Sequence, residues 1–361
     1  MDRRSVACAL LSAGLLASIA APRALAVEVM TIPTPEATAR IDPARKRVVV
    51  ESLASLLRQH YVYPDVGVRY AARLQDQLRS GAYDDLPDVA TFAARVTGDL
   101  QTVFPDRHLA IFPTGGHDRR RPDPVDAPKS TKASGPAGLE DARMIGDVAY
   151  LRFNEFPGGA SASKARSFLL AHADARAVVI DSRANRGGRL DEMNSMLPLL
   201  FSHRARLYRM EMRSDVVSPF QGVPMVNAVA GTPSLRRWDH TIIPDSSERR
   251  LQIVPVYYLV SRRTASAAEA LALGFKSTRR ATLIGETTAG AGYFGGIFEV
   301  GNPSMQAWIS TGRTYDPRSG RDWEGTGLRP DIEAPVDDAL TVALTLAQRA
   351  GADPGPEATL R

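Results

Sequence analysis

Apolar residues recur at helical spacing in three successive stretches early in the chain. Over residues 45–60 they fall at Val49, Leu53, Leu56 and Leu57. Over 66–78 they fall at Val66, Tyr70, Leu74 and Leu78, and over 87–103 at Val89, Phe92, Ala93, Val96, Leu100 and Val103. Each set draws one apolar stripe along a helix, so the pattern predicts three amphipathic helices, with Pro87 at the permitted first-turn position of the third. Tyr61-Val-Tyr-Pro64 and Gly81-Ala-Tyr-Asp-Asp-Leu-Pro87 interrupt the period and read as connecting turns. A small helical domain is expected over 43–117, with Phe104-Pro-Asp-Arg-His-Leu109 near its end. Residues 27–42, polar and Pro-containing, read as an extended lead-in.

The period is lost over 118–139, where Arg gives way to Pro, Ser, Lys, Ala and Gly. This composition marks a linker. Beyond it, short β-branched runs alternate with helix-forming segments, which predicts an α/β domain over 140–345. Strands are expected at 148–153, 177–182, 207–212, 253–260 and 281–285, with helices at 161–173 and 337–349. Arg186-Gly-Gly188 is expected to open a helix running to Phe201. The stretch 216–250 reads as an irregular insertion, and 297–300 with 305–310 as a hairpin.

The 361 residues carry a net charge of +5 and a single cysteine, Cys8. Residues 1–26 combine Arg3 and Arg4, an apolar run from Ser5 to Ala21 and the small-residue site Ala24-Leu25-Ala26. That is the pattern of a secretory signal, implying a periplasmic or secreted protein. Its removal takes away two net positive charges and the only cysteine, leaving no disulfide and no thiolate chemistry. No further run is long enough to span a membrane, so no stable membrane insertion is expected after cleavage. Charge is too diffuse, and too free of interleaved aromatics, for a nucleic-acid partner. Arg119-Arg-Arg121 reads as a solvated linker. The sequence carries no zinc-type His-Glu-x-x-His motif and no phosphate-binding Gly-Lys-Ser/Thr loop, so neither a metal nor a cofactor is expected.

Two stretches carry candidate chemistry. In Arg263-Thr-Ala-Ser-Ala-Ala-Glu-Ala-Leu-Ala-Leu-Gly-Phe-Lys276 a strand gives way to a helix within a few residues, placing Ser266 at the helix N-terminus. There it has two readings. It can cap the helix through the Ser266-x-x-Glu269 box, or it can be a nucleophile whose oxyanion is held by the unpaired N–H groups of the first turn. In Asp181-Ser-Arg-Ala-Asn-Arg-Gly-Gly188 a pair of glycines lets backbone approach a ligand, or simply pack tightly. Gly290-Ala-Gly-Tyr-Phe-Gly295 matches a dinucleotide fingerprint only in letters, because a strand-like run follows it where a helix is needed. Of six histidines, His60, His117, His172, His203 and His240 have surface or packing surroundings. His108 stands at the end of the helical domain and matters only if the fold delivers it to Ser266.

These motifs together resemble those of the tail-specific (C-terminal processing) serine peptidases. Thr264-Ala-Ser-Ala-Ala-Glu269, Arg280-Ala-Thr-Leu-Ile-Gly-Glu-Thr-Thr288, Trp323-Glu-Gly-Thr-Gly-Leu-Arg-Pro-Asp331 and the Asp181 element follow in the family's order. The turns at Tyr61, Gly81 and Asp106 resemble the branch similar to interphotoreceptor retinoid-binding protein. The resemblance implies a crotonase-like α/β catalytic domain after a helical one, with Ser266 as nucleophile. It implies an oxyanion hole from the N–H of Ala267 and of Gly187 or Gly188. Many relatives pair the serine with a lysine 25 residues on, where this chain has Ala291. Lys276 lies about 280° around the helix from Ser266 and is no substitute. A tricorn-like arrangement fits, with His108 as base and Glu324 assisting, although Arg107 stands where tricorn protease has a serine. The implied partner is a peptide or unfolded protein substrate; oligomeric state is not indicated. Retinoid-binding relatives imply the alternative, a non-catalytic carrier of retinoid- or fatty-acid-like ligands.

Overall fold

The computed structural model describes residues 39–114, 137–301 and 305–352. The signal segment and residues 118–136 of the linker lie outside them. Three helices open the described chain: α1 (Pro43–His60), α2 (Pro64–Arg79) and α3 (Val89–Gln101). Asp42 caps α1 by accepting the Arg45 N–H at 2.8 Å, and Asp88 caps α3 by accepting the Thr91 N–H at 2.8 Å. Pro87 therefore precedes the cap of α3 instead of occupying its first turn, because the Asp88 side chain is the better acceptor for the orphan N–H groups. Gly67 lets α2 approach α1 closely: a Cβ there would meet the Leu57 carbonyl oxygen at 2.3 Å.

Two sheets follow. The first has the order β12-β9-β8-β4-β3-β2. It comprises β2 (Leu139–Ile145), β3 (Val148–Phe153), β4 (Ala177–Asp181), β8 (Val256–Val260), β9 (Thr282–Gly285) and β12 (Ile332–Glu333). All pairings are parallel except β2 with β3. Crossovers run through α4 (Gly159–Ala171), α5 (Asp191–Leu200) and α6 (Ala267–Thr278), and α7 (Ala339–Ala352) closes the described chain. Alternation along the strands sorts the two faces. Val178 and Ile180 of β4, with Val256, Tyr258 and Val260 of β8, pack among the residues of α4, α5 and α6. Ala177, Val179, Tyr257 and Leu259 face Ala339, Ala343 and Ala347 of α7.

The second sheet is antiparallel, in the order β1-β11-β5-β7-β6 with β10 also on β11. Its strands are β1 (Ala110–Pro113), β5 (Ala205–Arg213), β6 (Val226–Thr232), β7 (Leu235–Ile242), β10 (Tyr293–Glu299) and β11 (Met305–Tyr315). The stretch 216–250, expected to be irregular, thus contributes two strands. Their alternation is masked because β6 is exposed along most of its length while β7 is buried over residues 238–242. Strand β1 sends the end of the helical segment into this sheet, pairing Ala110 with Trp308. Met305, Ala307 and Ile309 of β11 pack in one cluster with Val49, Leu53, Leu57 and Phe92 of the helices. The glycine pair at 187–188 does not open a helix, since α5 begins only at Asp191. Leu139–Ile145 is a strand although its sequence shows no alternation, since it is half-buried at a sheet edge.

Candidate active site

In a parallel sheet the loops that leave the carboxyl ends of neighbouring strands lie side by side, and this is where such folds place ligands. Strands β4 and β8 are neighbours, so the loops after Asp181 and after Val260 are brought together. Side chains join them. Thr264 Oγ1 donates to the Ser182 carbonyl at 2.8 Å and accepts the Ser261 N–H at 2.9 Å. Ser261 Oγ donates to the Arg183 carbonyl at 2.6 Å, and the Ala265 N–H donates to the Asn185 carbonyl at 3.0 Å. The loop after β9 is added by the Ala289 N–H, which donates to the Thr264 carbonyl at 2.9 Å.

Ser266 sits at the start of α6 with φ 55° and ψ −124°. A residue that merely caps a helix has extended dihedrals, as Asp42 and Asp88 do. A side chain held in this sparsely populated region costs on the order of 1–3 kcal/mol, and such strain gathers at functional sites. Ser266, half-buried, thus stands where the loop after β8 turns into α6, the position of the nucleophile in the strand-to-helix elbows of acyl-transfer enzymes.

Gly187 lies against this turn: a Cβ on it would meet the Ala265 carbonyl oxygen and the Ala267 nitrogen at 2.7 Å, and Ser266 Cβ at 2.8 Å. Its φ of 89° and the φ of 132° at Gly188 are open to glycine alone. The two N–H groups differ. That of Gly187 donates to Asn185 Oδ1 at 2.8 Å, so it is already engaged. Those of Gly188 and Ala267 enter no hydrogen bond among the described residues. Gly188 is gripped on both flanks, the Phe156 N–H donating to the Gly187 carbonyl and the Arg189 N–H to the Phe156 carbonyl, each at 2.7 Å.

His108 comes from the segment between α3 and β1. Its ring stacks on Trp308 of β11, with centroids 6.0 Å apart and planes 28° from parallel. Buried Asp106 accepts the backbone N–H of His108 at 2.8 Å and of Leu109 at 3.1 Å through Oδ1. Glu324 accepts the Arg107 N–H at 2.6 Å through Oε1, and the N–H groups of Gly292 and Tyr293 at 2.6 and 2.9 Å through Oε2. All the hydrogen bonds of its carboxyl group among the described residues thus go to backbone, and it holds the His108 segment through the preceding residue. Burial, and then the nearby Asp106 carboxylate, push the Glu324 carboxyl up to about 8 against the pull of those three donors. Burial likewise raises Asp106.

The structure therefore brings Gly187 against Ser266 and Ala267, holds Gly188 on Phe156, and ties the His108 segment to Glu324 through Arg107. Ala291, where many relatives would carry lysine, is 1 % exposed. Lys276 points elsewhere, bonding Asp331 and the Arg329 carbonyl. His240 is a packing residue, its Nδ1 2.7 Å from the Tyr208 hydroxyl and its Nε2 2.7 Å from Asn194 Oδ1. His117 lies outside the described residues. Sequence reasoning missed the part played by Asp106 and by Glu269, a carboxylate with no exposed surface. A signal for the latter was present: an ionisable residue inside the apolar run Ala267-Ala-Glu-Ala-Leu-Ala272. Among the described residues no cluster of His, Cys, Asp and Glu could hold a metal ion, and no helix is long and apolar enough to cross a membrane.

A family model described as Peptidase family S41 matches residues 147–334. A second, described as the N-terminal domain of that peptidase in eukaryotic IRBP, matches 43–149. A carboxyl-terminal-processing protease of Synechocystis sp. is 28% identical over 203 residues, 55% of this chain and 41% of that protein. The chain spans about two fifths of the length of the curated relatives it matches. Among solved structures, a lipoprotein from Streptococcus agalactiae superposes with a TM-score of 0.53 at 15% identity, covering 86% of this chain and 98% of the other. A protein of Parabacteroides merdae described as a candidate peptidase gives 0.59 at 15% identity, covering 84% and 96%.

Proposed function

The chain belongs to peptidase family S41, and on that premise we propose that it is an exported serine endopeptidase acting through an acyl-enzyme on Ser266. The observation that carries this reading is the strained Ser266 backbone, with Gly187 packed against its turn and the N–H groups of Ala267 and Gly188 in no hydrogen bond among the described residues. In the proposed reaction, His108 takes the proton of the Ser266 hydroxyl as its oxygen attacks the peptide carbonyl carbon. The negative charge that develops on the carbonyl oxygen is received by the N–H groups of Ala267 and Gly188, each donor supplying on the order of 3 kcal/mol. The Gly187 N–H serves indirectly, its bond to Asn185 shaping the turn. His108 then returns the proton to the leaving amine, and water attacks the acyl group with His108 again as base.

Glu324 fixes the His108 segment from behind, and Trp308 fixes the ring. No cofactor enters this scheme. The helical segment (43–117) supplies the base and the α/β segment (140–345) the nucleophile, so an unfolded peptide would bind where the two meet. Residues 1–26 would direct export.

Labelling with a fluorophosphonate probe tests the proposal. Wild type is expected to label, and Ser266→Ala and His108→Ala to lose labelling while retaining the wild-type circular dichroism spectrum. Folded wild type that does not label would overturn the acyl-enzyme reading and favour the carrier of apolar ligands.

A further inference from the structure

Glu269 is placed in sequence like any third residue of a capping box, and its Oε2 does accept the Ser266 N–H at 3.0 Å. Three further donors converge on the same carboxylate. The Ala291 N–H reaches Oε2 at 2.8 Å, while the Gly290 N–H and the Thr288 hydroxyl reach Oε1 at 2.7 and 2.6 Å. All four acceptor positions of the carboxylate are thus used. A capping interaction is worth about 1 kcal/mol and works equally well at a solvated helix end. Desolvating a carboxylate costs several kcal/mol, so a cap alone does not account for this one. No Lys or Arg pairs with it among the described residues; its partners are N–H and O–H dipoles from two separate loops.

The next two residues continue the pattern. The N–H groups of Gly292 and Tyr293 donate to Glu324, so four consecutive amides, 290–293, end on two buried carboxylates. Glu324 then takes the Arg107 N–H, and Asp106 those of His108 and Leu109. One connected set of bonds runs from Ser266 through Glu269, the 288–293 loop and Glu324 to His108.

We propose that Glu269 is a positioning residue that locks the Ser266 turn to the 288–293 loop and, through Glu324, sets the nucleophile in register with the His108 segment. The proposal rests on the reading of Ser266 and His108 as a reactive pair, but the clamp has its own physical readout. An ionised carboxylate accepts from four donors. The amide of Glu269→Gln would turn an NH2 group toward one pair of donors, so at least two of the four bonds are lost without a change of volume. Thr288→Val removes a single donor and leaves the carboxylate in place.

Two measurements test it. In amide hydrogen exchange followed by mass spectrometry, Glu269→Gln is expected to speed exchange at least tenfold in peptides covering 288–293 and also in those covering 106–109, with α1 and α2 unchanged. In fluorophosphonate labelling, the second-order rate is expected to fall at least tenfold in Glu269→Gln and by less in Thr288→Val. Leu169→Ala, a core truncation in α4 that lowers the melting temperature, should label at the wild-type rate. Faster exchange confined to 288–293, with 106–109 unchanged, would overturn the coupling. So would wild-type labelling by Glu269→Gln. If wild type does not label but Glu269→Gln still loosens both segments, the clamp stands and the peptidase reading fails. Should Glu269→Gln not fold, the same comparison on Thr288→Val decides, with unchanged exchange and labelling overturning the proposal.

Discussion

A buried carboxyl that folds with a raised pKa leaves a signature in stability against pH. Glu324 titrates near 4.5 when unfolded and is pushed up to about 8 in the fold, first by burial and then by Asp106. Between those values the folded protein keeps a proton that the unfolded chain releases. The group's contribution is therefore fully favourable below about pH 4.5 and is lost as the pH rises through about 8. Because Asp106 is its close neighbour, the pair titrates together. Replacing Glu324 by Gln should flatten the fall in melting temperature from about pH 5 to about pH 8. Scanning calorimetry at intervals across that range measures the slope, and identical slopes in both proteins would show that Glu324 is not the group responsible. The same substitution should slow labelling of Ser266, since an amide offers one acceptor oxygen where both carboxyl oxygens now receive the N–H groups of Arg107, Gly292 and Tyr293.

Elements of the second sheet carry a titration of opposite sense. His240 bridges β7 to β5 and α5 through Tyr208 and Asn194, and burial pushes its imidazole down to about 3. Unfolded histidine takes up a proton below about 6.5, whereas this one stays neutral until about pH 3. Stability is expected to drop as pH falls through that window. His240→Gln should lose this component while other acid-labile groups remain, so the difference between the two melting curves narrows toward low pH. A constant offset at every pH would reject the role. The element scale also explains why the Ser266 turn is rigid. Helix α6 is buried over Ala267–Phe275, and Gly274 admits Leu207 of β5, whose Cβ would stand 3.1 Å from a Cβ at that position. The strained serine is therefore held by a helix that has no freedom to relax it.

At the scale of the molecule, the helical segment and the second sheet share one apolar cluster, with Ile111, Val300 and Met305 beside Leu53, Leu57 and Tyr70. Neither part can expose its face without the other, so they should unfold in one transition. Leu57→Ala, at a site with no exposed surface, is expected to cost about 2–5 kcal/mol and to lower the melting temperature without splitting the transition. Two separated calorimetric peaks would contradict shared packing. The same union carries the His108 end of the helical segment into the sheet of β11, where β1 pairs and Trp308 provides the surface on which the imidazole rests.

The chain by itself determined a good deal of this. Helical periodicity located α1, α2 and α3, β-branched runs located β3, β4, β8 and β9, and the abrupt change after Thr264 placed Ser266 at the head of α6. These are local properties, set by the spacing of apolar side chains and by the backbone preferences of a few residues. Glycines 187 and 188 were visible as unusual, but which N–H is free depends on Asn185 and Phe156, partners that only folding supplies. Strands β1, β6 and β7 carried no readable alternation, because exposure there is decided by which neighbours arrive across the sheet. Tertiary structure alone decided that Ser266 adopts a strained conformation, that Glu269 is buried instead of capping in water, and that Glu324 grips backbone. The physical reason is the same in each case. A carboxylate's role depends on which donors surround it once water has been removed, and those donors come from loops far apart in the chain.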